Sequence, residues 1–160
     1  MRLTLAAIGR LKAGPDRELF ERYWGRLEAS GRAAGLTSVK CVELPESRAA
    51  SVADRRADEA ARLLKAIGKD AYVIALDERG KSQDSDGFAK HIRQVAEAGR
   101  AELAVLIGGP DGHDASVSDT VNFVLTLGRL TLPHGLARIV IAEQLYRATT
   151  ILTGHPYHRS

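Results

Sequence analysis

Leu106-Ile-Gly-Gly-Pro-Asp-Gly112 is the stretch from which the rest of this chain is read. The apolar run Leu103 to Ile107 predicts a strand, and it empties into a turn whose glycines let backbone approach a ligand closely. Working outward, further apolar runs at Leu3 to Ile8, Val39 to Leu44, Ala71 to Leu76 and Phe123 to Leu127 predict four more strands. Helical spacing fills the intervals. Pro15 opens a helix carrying Leu19, Phe20, Tyr23, Trp24 and Leu27, and a second runs from Ala49 to Ile67, with Val52, Ala60, Leu63, Leu64 and Ile67 toward the core. Asp77 to Asp84 reads as a polar loop, Phe88, Ile92 and Val95 mark a third helix, and Val117 to Val121 a short fourth. Pro133 begins a long last helix with Leu136, Ile139, Val140, Ala142, Leu145, Tyr146 and Ala148 in phase. Strands alternating with helices imply an α/β fold, a mostly parallel sheet with helices on both faces. No repeat, low-complexity tract or linker interrupts residues 1–160, so one domain is expected.

Composition narrows the class. At 160 residues, 44% hydrophobic and 27% charged, the chain has the balance of a globular protein with a real core. A net charge of +3 permits a nucleic-acid partner without requiring one. The single cysteine, Cys41, excludes an internal disulfide and a cysteine-based zinc site; in Ser38-Val-Lys-Cys-Val-Glu-Leu44 it reads as an inert strand residue. No apolar run approaches the roughly 18 residues of a membrane span, and the amino terminus opens on a strand rather than a secretory signal. A cytoplasmic protein with no membrane attachment is expected.

Three strand ends carry the candidate site: Leu76-Asp-Glu-Arg-Gly80, Ile107 to Gly112, and Leu127-Gly-Arg-Leu-Thr-Leu132. Ligands bind at the carboxyl ends of open parallel sheets. Neither the GxGxxG nor the GxxxxGK[ST] spacing occurs here. Leu76, Leu127, Leu130 and Leu132 offer apolar walls with few polar groups nearby, which suit a purine with a thioether or sulfonium arm better than a triphosphate. A tight turn with no ligand is the competing reading of the glycines. His155-Pro-Tyr-His-Arg159 gathers hydrogen-bonding side chains at a terminus that would ordinarily fray. Arg147 stands four residues after Glu143 and is either its ion-pair partner or an active-site group; His134 reads as a first-turn helix residue, and Tyr146 as core or dimer packing.

Taken together, Leu76-Asp-Glu-Arg-Gly-Lys81, Ile107-Gly-Gly-Pro-Asp-Gly112, Leu130-Thr-Leu-Pro-His134, Glu143-Gln-Leu-Tyr-Arg-Ala148 and the tail resemble the ribosomal RNA large subunit methyltransferase H family, of the SPOUT class. The resemblance extends from the Ile8-Gly-Arg-Leu-Lys12 turn to the tail. It implies a carboxyl-terminal trefoil knot, a homodimer, S-adenosylmethionine as donor, and methylation at N3 of a pseudouridine in 23S ribosomal RNA. Cofactor contacts would fall on Leu76, Gly108, Leu127, Gly128, Arg129, Leu130, Thr131 and Leu132, with backbone carrying them at Gly128 and Arg129. No metal is called for. Help in moving the N3 proton would come from His155, His158 or Arg147, among which the sequence does not choose, while Tyr157 could stack on the base. The modest charge points to an assembled ribosome as substrate. A ribosome-associated RNA-binding module without catalysis is the alternative. Ile139, Ile141, Leu145, Ile151 and Leu152 point in more directions than one core stripe needs, so part of the last helix is expected in a two-fold interface.

Overall fold

The structure, a computed structural model, describes residues 1–159. Its elements are β1 (Arg2–Ile8), α1 (Pro15–Gly31), β2 (Ser38–Leu44), α2 (Val52–Lys65), β3 (Tyr72–Lys81), α3 (Ser85–Glu97), β4 (Glu102–Ile107), α4 (Ala115–Ser118), β5 (Phe123–Leu125) and α5 (His134–Thr153). The strands form one parallel sheet in the order β2-β1-β4-β3-β5. Side chains alternate across it, as a strand's two-residue period requires. Leu3, Leu5, Leu103 and Val105 pack with α1, α3 and α5, whereas Ala6, Ile8, Val73 and Leu106 pack on the other face with Ala60 and Leu63 of α2 and Val117 of α4. The expected α/β architecture with helices on both faces is therefore present.

Four boundaries differ from the sequence reading, each for a local reason. Ser51 Oγ accepts the Asp54 N–H at 3.0 Å and caps α2, so the helix starts after Ala49 and Ala50, and Val52 is 45% exposed rather than in the core. Asp114 likewise caps α4, which begins two residues early, at Ala115. The segment expected as a polar loop after Leu76 continues as strand to Lys81. There β4 has already ended at Ile107, and β3 takes a second pairing, Lys81 with Leu125, after a break in register. β5 stops at Leu125 rather than Leu127 because Thr126 Oγ1 turns back onto its own chain, donating to Gly128 O at 2.7 Å and accepting the Gly128 N–H at 3.2 Å.

At the β3–β5 contact the two backbones meet directly. A Cβ on Gly80 would lie 2.6 Å from the Leu125 carbonyl carbon. From there the chain reaches α5, which lies against both α1 and α3. Ile139, Ile141 and Leu145 are spent inside this packing, so they cannot serve a second subunit; Leu136 (45% exposed) and Val140 (37%) are the apolar residues that α5 leaves outside.

Candidate functional site

The carboxyl ends of β3, β4 and β5 surround a cavity of about 380 Å³, within the size range of small-molecule sites. Strand register builds it: Leu76 pairs with both Ile107 and Leu125, so β4 and β5 end level with it and with each other. Leu76, Gly108, Leu127, Gly128, Leu130, Thr131 and Leu132 line the cavity as the sequence reading expects, and Arg129 does not. Leu130 is no buried wall, since it is 83% exposed at the rim. The mouth is also more polar than expected, with Arg56, Asp77, Glu78, Arg79 and Asp111 around it.

The Gly108–Gly112 turn forms one wall, and its glycines are needed where they stand. Gly112 has φ +81°, a left-handed conformation that favours glycine, and its N–H closes the turn onto Gly109 O at 2.9 Å. A Cβ on Gly109 would come within 2.5 Å of Glu59 Oε2, and one on Gly108 within 3.2 Å of the His113 ring. Glu59, on α2 and buried, accepts the Ser47 N–H at 2.8 Å through Oε1, while Oε2 has no partner. The turn is clamped to α2 from outside as well. Arg55 Nε donates to Asp111 Oδ2 at 2.7 Å and Arg56 Nε donates to the Asp111 carbonyl; the bond to Arg55 holds the Asp111 carboxyl below its usual range. Burial pushes the His113 imidazole below its usual value, against the opposing pull of Leu76 backbone and Asp77, so the ring is neutral at pH 7.

These features fit an adenosyl-type ligand. Apolar side chains and close-approaching glycine backbone line the cavity beside Arg56 and Arg79, and no lysine is among its described lining residues. Among the described residues no group of three or more His, Cys, Asp or Glu is placed to hold a metal ion, and no helix is long and apolar enough to cross a membrane.

Arg147, Tyr157 and His158 do come together, but elsewhere. Tyr157 Oη donates to Glu143 Oε1 at 2.9 Å, and Arg147 Nε donates to the same oxygen at 3.0 Å. The Arg147 guanidinium stands 4.7 Å from the Tyr157 ring centre, and the Tyr146 ring packs against the same ring, also at 4.7 Å between centres. His158 bridges Arg147 and Asp86, at 3.3 Å to each. His155 lies exposed, accepting the Tyr157 N–H at 3.2 Å through Nδ1. Both readings of Arg147 thus begin from a real ion pair with Glu143, whose hydrogen bond raises the guanidinium pKa. Burial and the bond to Glu143 raise the Tyr157 phenol as well.

None of these four lines the cavity of its own chain. Helix geometry explains why. The cavity touches the start of α5 at His134 and Ala137, whereas the tail folds back on its far end, about 15 Å further along at 1.5 Å per residue. Within one chain the tail therefore does not fold over the pocket.

Sequence reasoning passed over Glu59, which reads as part of a solvated helix face, His113, and a buried ionic group at the other end of the chain. Arg138, 1% exposed, pairs with Glu43 Oε1, and Glu43 Oε2 accepts Arg17 Nη2 at 2.9 Å. A charge inside the apolar run Ala137-Arg-Ile-Val140 was the available signal.

A family model described as "Predicted SPOUT methyltransferase" matches residues 1–158. Ribosomal RNA large subunit methyltransferase H of Brucella anthropi is 51% identical over 160 residues, covering 100% of both chains. The protein of the same name from Rhizobium etli is 49% identical over 159 residues, covering 99% of each. Among solved structures, a probable methylase family protein from Haemophilus influenzae aligns with a TM-score of 0.53 at 13% identity, over 99% of this chain and 70% of that one, a likeness of fold. With matches that run end to end through the cavity loops and the tail, the chain belongs to the SPOUT methyltransferases, which use S-adenosylmethionine, and within them to the ribosomal RNA large subunit methyltransferase H family.

Proposed function

We propose that this protein is a cytoplasmic, S-adenosylmethionine-dependent methyltransferase acting on N3 of a pseudouridine in 23S ribosomal RNA, with the assembled ribosome as substrate. The observation that carries the reading is the glycine-walled cavity at the ends of β3, β4 and β5, lined by Leu76, Gly108 and the Leu127–Leu132 loop. The relatives' names supply the RNA class. The trefoil knot belongs to the same reading.

S-adenosylmethionine supplies an electrophilic methyl group that needs alignment with its acceptor rather than a covalent helper. Leu76 and the Leu127–Leu132 loop would hold the donor, and the Gly108–Gly112 turn, clamped by Arg55 and Arg56, would present its backbone to it. N3 of the base must give up its proton as the new N–C bond forms. His155 and His158 are the candidate acceptors of that proton, since an unprotonated imidazole nitrogen can accept one. Arg147, held cationic by Glu143, is suited to stabilise the uracil-type anion. Tyr157, its phenol pKa raised, remains protonated and suits stacking rather than base catalysis.

Because the cavity and the tail cluster lie apart in one chain, the working unit is a homodimer in which the tail of one subunit meets the cavity of the other. Leu136, Val140 and Leu130, exposed and apolar between the two regions, supply the contact surface. Mass spectrometry of 23S ribosomal RNA, after incubating ribosomes with isotope-labelled S-adenosylmethionine, tests the reading. A labelled methyl on a pseudouridine is expected. Ribosome binding with no label transferred would favour the non-catalytic module instead.

A further inference from the structure

Beside the donor cavity lies a second one, of about 450 Å³, between the Gly9–Asp16 turn and the start of α5. His134 belongs to both linings, so the two cavities share a wall. The turn that frames the second cavity carries Arg10 and Lys12, both exposed and without an ion-pair partner among the described residues.

This turn is tied down from behind. The Leu11 N–H donates to Glu43 Oε1 at 3.0 Å, and the Leu11 carbonyl accepts Arg17 Nε at 2.8 Å. Arg138 Nη2 donates to the Ile8 and Gly9 carbonyls at 3.2 and 3.0 Å. Arg138 is buried behind the turn and Arg17 and Glu43 are partly so, whereas Arg10 and Lys12 are exposed. A loop with no task needs no such bracing, because fixing each residue costs backbone entropy. Acidic groups line the cavity too: Asp16 and Glu46 are both exposed, and the buried Arg138 also belongs to the lining. Asp16 sits against Gly135 (its Oδ2 would be 2.8 Å from a Cβ there), and Glu46 faces Gly9.

We infer that this cavity is a subsite for one RNA nucleotide flanking the methylated base, resting on the function proposed above. Arg10 and Lys12 hold its phosphate, while Asp16 and Glu46 accept hydrogen bonds from its 2′-hydroxyl and base edge. A lining that sets cations beside two carboxylates suits a nucleotide, which joins an anionic phosphate to a donor-bearing sugar and base. It does not match a free anion, which the two carboxylates would repel. The shared wall at His134 sets the bound nucleotide next to the donor.

The test is the double variant Arg10→Ala/Lys12→Ala, measured against wild type for ribosome binding, salt dependence and S-adenosylhomocysteine affinity. Both side chains are exposed, so thermal melting is expected to be unchanged. Ribosome affinity should fall at least about tenfold and the salt slope by about 0.7 for each phosphate the variant no longer neutralises, with cofactor affinity as in wild type. Asp16→Asn should weaken binding to the ribosome without changing that slope. Wild-type ribosome affinity and salt slope in the double variant would overturn the subsite. The binding readout needs no methyl transfer, so a wild-type protein that binds ribosomes but transfers nothing would refute the proposed activity while leaving the subsite tested.

Discussion

The phenol of Tyr157 and the carboxylate of Glu143 are joined by a 2.9 Å hydrogen bond, which fastens the tail to the last helix of its own chain. The same oxygen receives Arg147, so tail and helix share one acceptor. A terminus held this way is preorganised to meet another surface, and its removal uncovers the edge of the core at Tyr146, on which the Tyr157 ring packs.

Deletion of residues 155–160 should lower thermal melting only modestly and leave S-adenosylhomocysteine affinity nearly as in wild type. Methyl transfer to ribosomes should fall on the order of 100-fold or more, the scale of a lost general base. Full activity in the truncated protein would return the tail to the status of a disposable end. Tyr157→Phe keeps the ring and loses only the bond to Glu143, so its deficit should be much the smaller.

Gly109→Ala puts a methyl group where Glu59 Oε2 stands, 2.5 Å away. Neither a backbone turn clamped by Arg55 and Arg56 nor a buried carboxylate can give way cheaply. Calorimetry should record at least about a tenfold loss of S-adenosylhomocysteine affinity, equivalent to roughly 1.4 kcal/mol. Gly108→Val should act in the same direction by crowding the His113 ring. Retained affinity in both would remove the turn from the binding site.

Arg138→Met leaves Glu43 with one cation fewer and strips the Ile8 and Gly9 carbonyls of their donor. Glu43 is 21% exposed and keeps Arg17, so urea denaturation should report a loss of about 1–3 kcal/mol, less than breaking a fully buried pair from one side. A loss below about 1 kcal/mol would mean that the pair contributes little to holding the chain's two ends together.

The pH dependence of stability follows from Glu43. Burial pushes its carboxyl up, but the Leu11 N–H, Arg17 and Arg138 together outweigh burial, and the folded-state pKa lies below the ordinary 4.5. A carboxylate depressed on folding contributes stability above its unfolded pKa, and that contribution disappears as pH falls through the folded value. Melting temperature should thus drop between pH 6 and pH 3 more steeply in wild type than in Glu43→Gln. Equal slopes would assign acid sensitivity to other groups.

Val140→Asp puts a charge on the exposed apolar stretch of α5 while sparing the packing against α1 and α3. Sedimentation at micromolar concentration should show wild type as a dimer and the variant shifted toward the 17.3 kDa monomer. A wild type that sediments only as monomer would dismiss the shared site.

Periodicity makes the sheet, its helices and the cavity loops legible from the sequence. Leu76, Gly108 and Leu127–Leu132 fall where expected because a parallel sheet delivers its loops to one edge, with Arg129 turned away. What stays hidden depends on contacts between distant positions. Glu59 supports a turn 50 residues later, and Arg138 meets Glu43 across a separation of 95 residues. Neither carries a local signature beyond being a charge. The polar run after Leu76 reads as a loop because its strand character comes from a partner, Leu125, that the local sequence does not reveal.

The contact of Gly80 with Leu125 also has a temporal meaning. Two backbones that touch at this point admit no side chain between them, so the segment through Thr126 can settle only once the end of β3 is already shaped. α5, which comes next, then covers α1 and α3 together. On the ribosome, α1 and α3 therefore emerge before α5, the helix that covers them both.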